Sequence, residues 1–205
     1  MKKLLLLIAV VFFTSAEISA QTIDKLYESG RKAFYADKFD EANVYFMKIL
    51  AMDSDNFENC YFKGLVYEIN FDYENAIKEY NSALKFDRDC AECYKARGRV
   101  YEKQEKFDIA ISDYKNAIKN NDNDSDSYFK LASIYQDQLK YKEAVKYYSK
   151  YLELVPENDI AYYNRGLCYQ ELKQNSKAKA DFEKAVSIDK TWERTLRPVI
   201  KSLGN

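Results

Sequence analysis

Small, aromatic and apolar residues return along this chain at intervals of 34 residues, with polar stretches between them. Gly30, Gly64, Gly98 and Gly166 share one position of the period, and Ala132 fills the place that the glycines skip. Twelve residues after each comes Ala42, Ala76, Ala110, Ala144 or Ala178. Four residues further on is an aromatic every time: Phe46, Tyr80, Tyr114, Tyr148 and Phe182. Tyr67, Tyr101, Tyr135 and Tyr169 stand three residues after the small residue, with Ala33 as the exception. Five units therefore run over 23–56, 57–90, 91–124, 125–158 and 159–192 without insertion or deletion. A constant period of this length means one supersecondary element stacked on itself.

Within a unit, positions 4, 8 and 11 fall on one face of a helix, and positions 20, 24 and 27 on one face of a second. Small residues at 8 and 20 let the two helices approach closely, and the aromatics at 11 and 24 fill the space beside that contact. Position 27 is Ala83, Ala117 and Ala185 in three units; Ile49 and Tyr151 predict looser or locally adjusted junctions in the other two. Polar stretches such as Asn121 to Ser127 separate one helix pair from the next.

This pattern resembles the tetratricopeptide repeat family over residues 23–192. The resemblance rests on Gly at position 8, Tyr at 11, Ala at 20, an aromatic at 24 and Ala at 27. Position 4, often Trp in the family, is Leu26, Cys60, Tyr94, Tyr128 and Tyr162, and position 32 is Pro only at Pro156. The implied architecture is an all-α, right-handed superhelical solenoid of five helix-turn-helix units. In such an array the last unit needs a cover. Leu196, Val199, Ile200 and Leu203 predict a capping helix over 193–205, with Pro198 in its first turn, where a missing N–H does little harm.

The resemblance also points to a groove lined by the first helices, which in this family receives extended or helical segments of other proteins. Position 5 faces it and reads Tyr27, Tyr61, Lys95, Phe129 and Tyr163; position 9 reads Arg31, Leu65, Arg99, Ser133 and Leu167. Tyr27, Arg31, Tyr61, Leu65, Lys95, Arg99, Phe129 and Tyr163 are the candidate groove contacts, aromatics for apolar side chains and guanidinium groups for carboxylates. The family's carboxylate clamp for chaperone C-termini fits poorly on Lys95, Arg99, Lys130, Ile160 and Asn164.

The first twenty residues carry a different message. Lys2 and Lys3 precede an apolar run, Leu4 to Phe13, and small or polar residues ending Ile18-Ser19-Ala20. That is the layout of a signal peptide, and a run of ten falls short of the roughly 20 residues that span a bilayer. Cleavage is expected after Ala20, with Ala16 as a second site, leaving 21–205 as the solenoid with no membrane span. The first cysteine is Cys60, so the segment is not a lipoprotein signal. A periplasmic or secreted bacterial protein is the expectation.

Composition excludes more than it proposes. The chain has 205 residues, 32 Lys+Arg, 33 Asp+Glu, two Pro, five Gly and no His. So few helix breakers fit an all-α chain. The absence of His removes His-activated nucleophiles, His metal sites and the usual neutral-pH acid–base residue. Loss of Lys2, Lys3 and Glu17 leaves a net charge of −2, which disfavours nucleic acid. Asp122 to Ser127 resembles a calcium loop but lacks its Gly and Glu, and reads as a turn that caps the next helix. Four cysteines are too dispersed for zinc. Cys60 and Cys168 read as packed thiols. Cys90-Ala91-Glu92-Cys93 begins a helix and reads as a structural pair, with thiol–disulfide exchange as the alternative function. No cofactor and no enzymatic activity are implied. The sequence thus points to a protein-binding scaffold, with a cell-envelope assembly complex as its setting and a spacer or oligomerising array as a further alternative.

Overall fold

The computed structural model describes residues 23–52 and 56–203. The expected signal peptide, residues 1–20, lies outside the described residues. Ten helices form five hairpins: α1 (Ile23–Tyr35) and α2 (Phe39–Leu50), α3 (Phe57–Ile69) and α4 (Tyr73–Phe86), α5 (Ala91–Lys103) and α6 (Phe107–Asn120), α7 (Ser125–Asp137) and α8 (Tyr141–Leu154), α9 (Asp159–Glu171) and α10 (Asn175–Ile188). A 3-10 turn, Lys190–Trp192, leads into α11 (Glu193–Ser202). No strand occurs among the described residues.

Each hairpin closes the same way. The fifteenth residue of every unit, Asp37, Phe71, Glu105, Leu139 and Lys173, sits at φ of 58° to 61°. The next residue's N–H reaches back to the carbonyl five residues before it, as in Lys38 to Ala33 (3.0 Å) and Lys140 to Tyr135 (2.8 Å). This left-handed ending satisfies the last carbonyls of the first helix and reverses the chain. Glycine is the cheapest residue for such a turn, yet none of the five is glycine.

Between hairpins, the last residue of units 1 and 4 caps the first helix of the next through its side chain. Asn56 accepts from the Asn59 N–H at 2.9 Å, and Asn158 from Ala161 at 2.8 Å. Asp124 takes the Ser127 hydroxyl. At the junction of units 2 and 3 the corresponding residues are Cys90 and Cys93, joined by a disulfide, with the Cys93 N–H also on Cys90 Sγ at 3.0 Å. The disulfide stands where the junctions after units 1 and 4 have a capping hydrogen bond. Cys60 and Cys168 are buried and outside any disulfide.

The small positions do what their spacing demands. A Cβ built on Gly64 would stand 2.5 Å from Tyr80 Cε1, and one on Gly30 would stand 2.5 Å from Phe46 Cε1. Ala42, Ala76, Ala110, Ala144 and Ala178 are all buried against the partner helix. At position 27 the junctions are locally adjusted: Ile49 is fully buried, and Tyr151 turns its ring onto Phe129 at 5.1 Å. The larger side chains fill the junctions rather than prop them open.

First helices touch one another directly, α1 with α3 and α3 with α5, and each second helix of units 1 to 4 packs on the first helix of the next unit. Closer approach along the first-helix row puts that row on the inside of the curve. At the far end Leu196 is buried on unit 5, with Trp192, Val199, Ile200 and Leu203 packed beside it. Pro198 is not in the first turn as the sequence suggested; it is the sixth residue of α11, because the helix starts at Glu193, directly after the 3-10 turn. Its ring removes one internal hydrogen bond from a short helix, at the cap's exposed side.

Candidate functional site

The candidate groove residues are all on first helices, and the structure distributes them among four different roles. Tyr27, Tyr61 and Phe129 form part of an aromatic ladder. Tyr27 meets Phe62 at 5.4 Å, Tyr61 meets Phe62 at 5.5 Å, and Phe129 stands edge-on to Tyr148 at 5.7 Å. All three are partly exposed. Leu65 is buried in the core of unit 2, against Tyr80 and Ala96, and offers no surface. Tyr163, also partly exposed, has Trp192 stacked on one face at 4.5 Å, and the indole N–H donates to Asp159 at 2.7 Å. The 3-10 turn thus sets an indole against the ladder at unit 5.

The cations are engaged internally. Arg99 grips Glu68 of the preceding unit with two hydrogen bonds, 3.1 and 2.9 Å. The Tyr80 hydroxyl donates to the same carboxylate at 2.9 Å. Burial opposes the charge on Arg99, but the bonds and charge of Glu68 outweigh it and hold the guanidinium above its usual pKa. Lys95 is pulled likewise, by Glu92 and by Asp124 at 3.1 Å, against the penalty of its burial. Arg31 is exposed and paired with Glu28 at 2.7 Å. An anchoring role for Arg99 therefore falls to the guanidinium nitrogen that Glu68 leaves unused, Nη1.

The same geometry recurs one unit on. Tyr114 donates to Glu102 at 2.6 Å, and Lys130 reaches Glu102 from the next unit at 2.9 Å. Tyr148 donates to Gln136 at 2.8 Å. Desolvation, then the bonded carboxylate, raise the pKa of Tyr114; burial and the Glu68 charge raise that of Tyr80. Wherever position 24 is Tyr, position 12 is Glu or Gln; where it is Phe, position 12 needs no acceptor. A second coupling lies deeper: Arg97 chelates Asp113 at 2.8 and 2.7 Å, and Arg165 chelates Asp181 at 2.8 Å twice. Arg97 also bonds Asn81, and Arg165 bonds Ser149, of the preceding unit, so each arginine bolts two hairpins together.

Between units 3, 4 and 5 the inner face opens into a recess of about 300 Å³. Phe129, Tyr151 and Ile160 supply its apolar wall; Lys95, Arg99 and Lys130 stand along one side, with Tyr114, Asp126 and Asn158 completing it. Only Lys95, Arg99 and Phe129 belong to the ladder read from positions 5 and 9. Ile160 was missed, although the sequence marks it: position 2 is Asp24, Glu58, Glu92 and Asp126 in four units, acids that suit the start of a helix, and Ile160 in the fifth. It is 48% exposed. No cluster of potential metal ligands is found among the described residues, and no described helix is long and apolar enough to cross a membrane.

The recurring hairpin has counterparts in known proteins. Crystal structures of MamA superimpose with a TM-score of 0.67 at 24% identity, covering 85% of this chain and 96% of that one. YrrB, described as a TPR protein with an unusual peptide-binding site, gives 0.62 at 22% identity, over 84% of this chain and 89% of its own. The C-terminal part of a TPR repeat-containing protein from Cytophaga hutchinsonii gives 0.65 at 18% identity, over 80% and 64%. No curated protein sequence matches the chain. Models described as tetratricopeptide repeat match residues 57–90, 95–152 and 160–191, in register with units 2 to 5. With five such hairpins stacked in order, the chain belongs to the tetratricopeptide repeat family.

Proposed function

We propose that this protein is an exported, non-enzymatic scaffold that holds a segment of another protein along its inner face, within a bacterial cell-envelope assembly. The observation that carries the reading is the recess between units 3 and 5. An apolar wall of Phe129, Tyr151 and Ile160 beside cations with unused N–H donors suits a segment presenting a bulky apolar side chain next to an oxygen acceptor. The family and the fold support protein binding. Export rests on residues 1–20, and the envelope setting on export.

Thiol–disulfide exchange is the weaker reading. Cys90 is 8% exposed and Cys93 fully buried, so neither sulfur is presented to an incoming thiolate. A spacer with an empty groove makes a different prediction, and one experiment separates it. Ile160→Asp and Lys130→Glu alter the recess at partly or well exposed positions, so the helical far-UV spectrum and melting should survive. A binder then loses its co-purifying protein while staying folded. An unchanged set of co-purifying proteins would remove the recess from consideration.

A further inference from the structure

Six of the large exposed apolar side chains lie along one edge of the array: Tyr35, Phe39, Phe71, Phe107, Ile109 and Leu139, between 38 and 76% exposed. Phe71 and Leu139 lie in hairpin turns, and the other four lie at the helix ends beside the turns of units 1 and 3. The unit-5 turn, with Glu171, Lys173, Asn175 and Lys177, is polar, so the row stops there. Neighbouring turns are in touch, since Lys103 of unit 3 lies over the Tyr73 ring of unit 2 at 6.0 Å.

Two of the six break a local rule. Phe71 and Leu139 have φ of 61° and 59°, where a large side chain is strained and glycine is not. The turn needs this backbone in every unit, but both side chains are 69% exposed, and Phe71 meets only the neighbouring Tyr73 ring edge-on at 6.3 Å. The hairpin explains the backbone but not a large, exposed apolar side chain on it, which marks a surface used outside the fold.

The area fits association. Taking about 200 Å² for each side chain, the six expose roughly 700 Å², close to the ~800 Å² per partner of a standard interface.

Charge along the edge selects the occupant. In unit 1 the turn 35–41 has Asp37, Asp40 and Glu41 against Lys38; in unit 2 the turn 69–75 has Asp72 and Glu74 with no cation. The turns of units 3 and 4 balance, and 171–177 in unit 5 has Lys173 and Lys177 against Glu171. The edge is acidic at one end and basic at the other. An anionic lipid surface would be repelled by the acidic half. A second copy laid antiparallel matches acidic end to basic end.

We propose that this edge is a self-association surface, on which two copies of the chain pair antiparallel about a twofold axis near the unit-3 turn. Phe71 then faces Leu139 of the second copy, and the two α6 starts, Phe107 and Ile109, meet at the axis. Tyr35 and Phe39 face the Lys173 and Lys177 stems, with ammonium groups over rings and opposite Asp37 and Glu41. The edge is separate from the inner recess, so this pairing stands whether or not the recess holds a segment.

Sedimentation equilibrium of the purified protein from micromolar to millimolar concentration tests it. The expected result is a reversible monomer–dimer equilibrium that weakens with added salt. Phe71→Gly with Leu139→Gly removes two knobs at positions whose backbone favours glycine, so the variant keeps its melting temperature and dissociates at least tenfold more readily. Lys173→Glu with Lys177→Glu weakens the dimer too, and zero-length crosslinks in the wild type join Asp37 or Glu41 to Lys173 or Lys177 between isotopically distinct copies. A wild type that stays monomeric overturns the proposal, as does a dimer indifferent to the glycine pair. A monomer that co-sediments with anionic vesicles would assign the row to lipid instead.

Discussion

Gly64→Ala and Gly98→Ala make the same chemical change at the same position of adjacent units, yet the structure separates them. Replacing Gly by Ala inside a helix gains about 1 kcal/mol of backbone propensity in both. The packing term differs. At Gly98 the new Cβ would meet Tyr114 at 3.1 and 3.2 Å, contacts that a few tenths of an ångström relieve. Unit 4 already has Ala132 at this position, fully buried. At Gly64 the Cβ would stand 2.5 and 2.7 Å from Tyr80. Both rings are pinned through their hydroxyls, Tyr80 to Glu68 and Tyr114 to Glu102, so the deeper overlap at Gly64 is the one a small shift cannot relieve. Overpacking of this kind costs roughly 1–3 kcal/mol. Gly98→Ala should therefore be neutral or stabilising, and Gly64→Ala destabilising by about 1 kcal/mol. A gap of about 2 kcal/mol corresponds to roughly 4–8 °C in melting temperature for a chain of this size. Thermal unfolding followed by circular dichroism reads it directly. Melting temperatures within about 1 °C of each other would refute the claim that Tyr80 is pinned against the small position.

Reducing the Cys90–Cys93 disulfide should lower stability by about 2 kcal/mol, the loop entropy of so short a closure, measured by urea unfolding with and without a dithiol. Cys90→Asn with Cys93→Ala, copying Asn158 and Ala161, should recover part of that loss and abolish the effect of the dithiol. Leu196→Ala should cost about 2–4 kcal/mol, since this buried side chain anchors α11 on unit 5; a melt unchanged from wild type would show that α11 does not cover the array. In alkali, burial pushes Tyr27 from 10.0 up to about 12 and Cys168 from 9.0 up to about 12. The unfolded chain then releases these protons before the folded one does. Stability is full below pH 9, declines as pH rises from 9 to 12, and the contribution is gone beyond that. Denaturant midpoints that stay flat from pH 9 to 11 would contradict these burials.

Much of the fold was legible because its determinants repeat. Gly64 and Tyr80 are neighbours for the same reason as Gly30 and Phe46, and five copies of one steric rule are hard to miss. The hairpin turns were harder to read. Position 15 has no glycine in any unit, so the left-handed residues Phe71 and Leu139 give no local signal. The inner face was half legible. Position 5 located the ladder, but the sequence offers no view of what else a side chain meets. Leu65 turns into the core, Trp192 stacks on Tyr163, and Glu68 engages Arg99 across 31 residues. Two signals went unused: Tyr at position 24 with Glu or Gln at position 12, and Arg at position 7 with Asp at position 23. Both are long-range polar pairings that appear as soon as units are compared column by column. Ile160 is a third, one apolar residue in a column of acids.

The central claim is that the inner recess of units 3 to 5 receives a segment of another protein. A photoreactive amino acid placed at Ile160, and separately at Lys146 on the outer helix α8, tests this most directly by crosslinking in intact producing cells. The account predicts a discrete adduct from position 160, lost when Lys130→Glu is added, and none of that species from position 146. The same adduct from both positions, or none from 160, would contradict it.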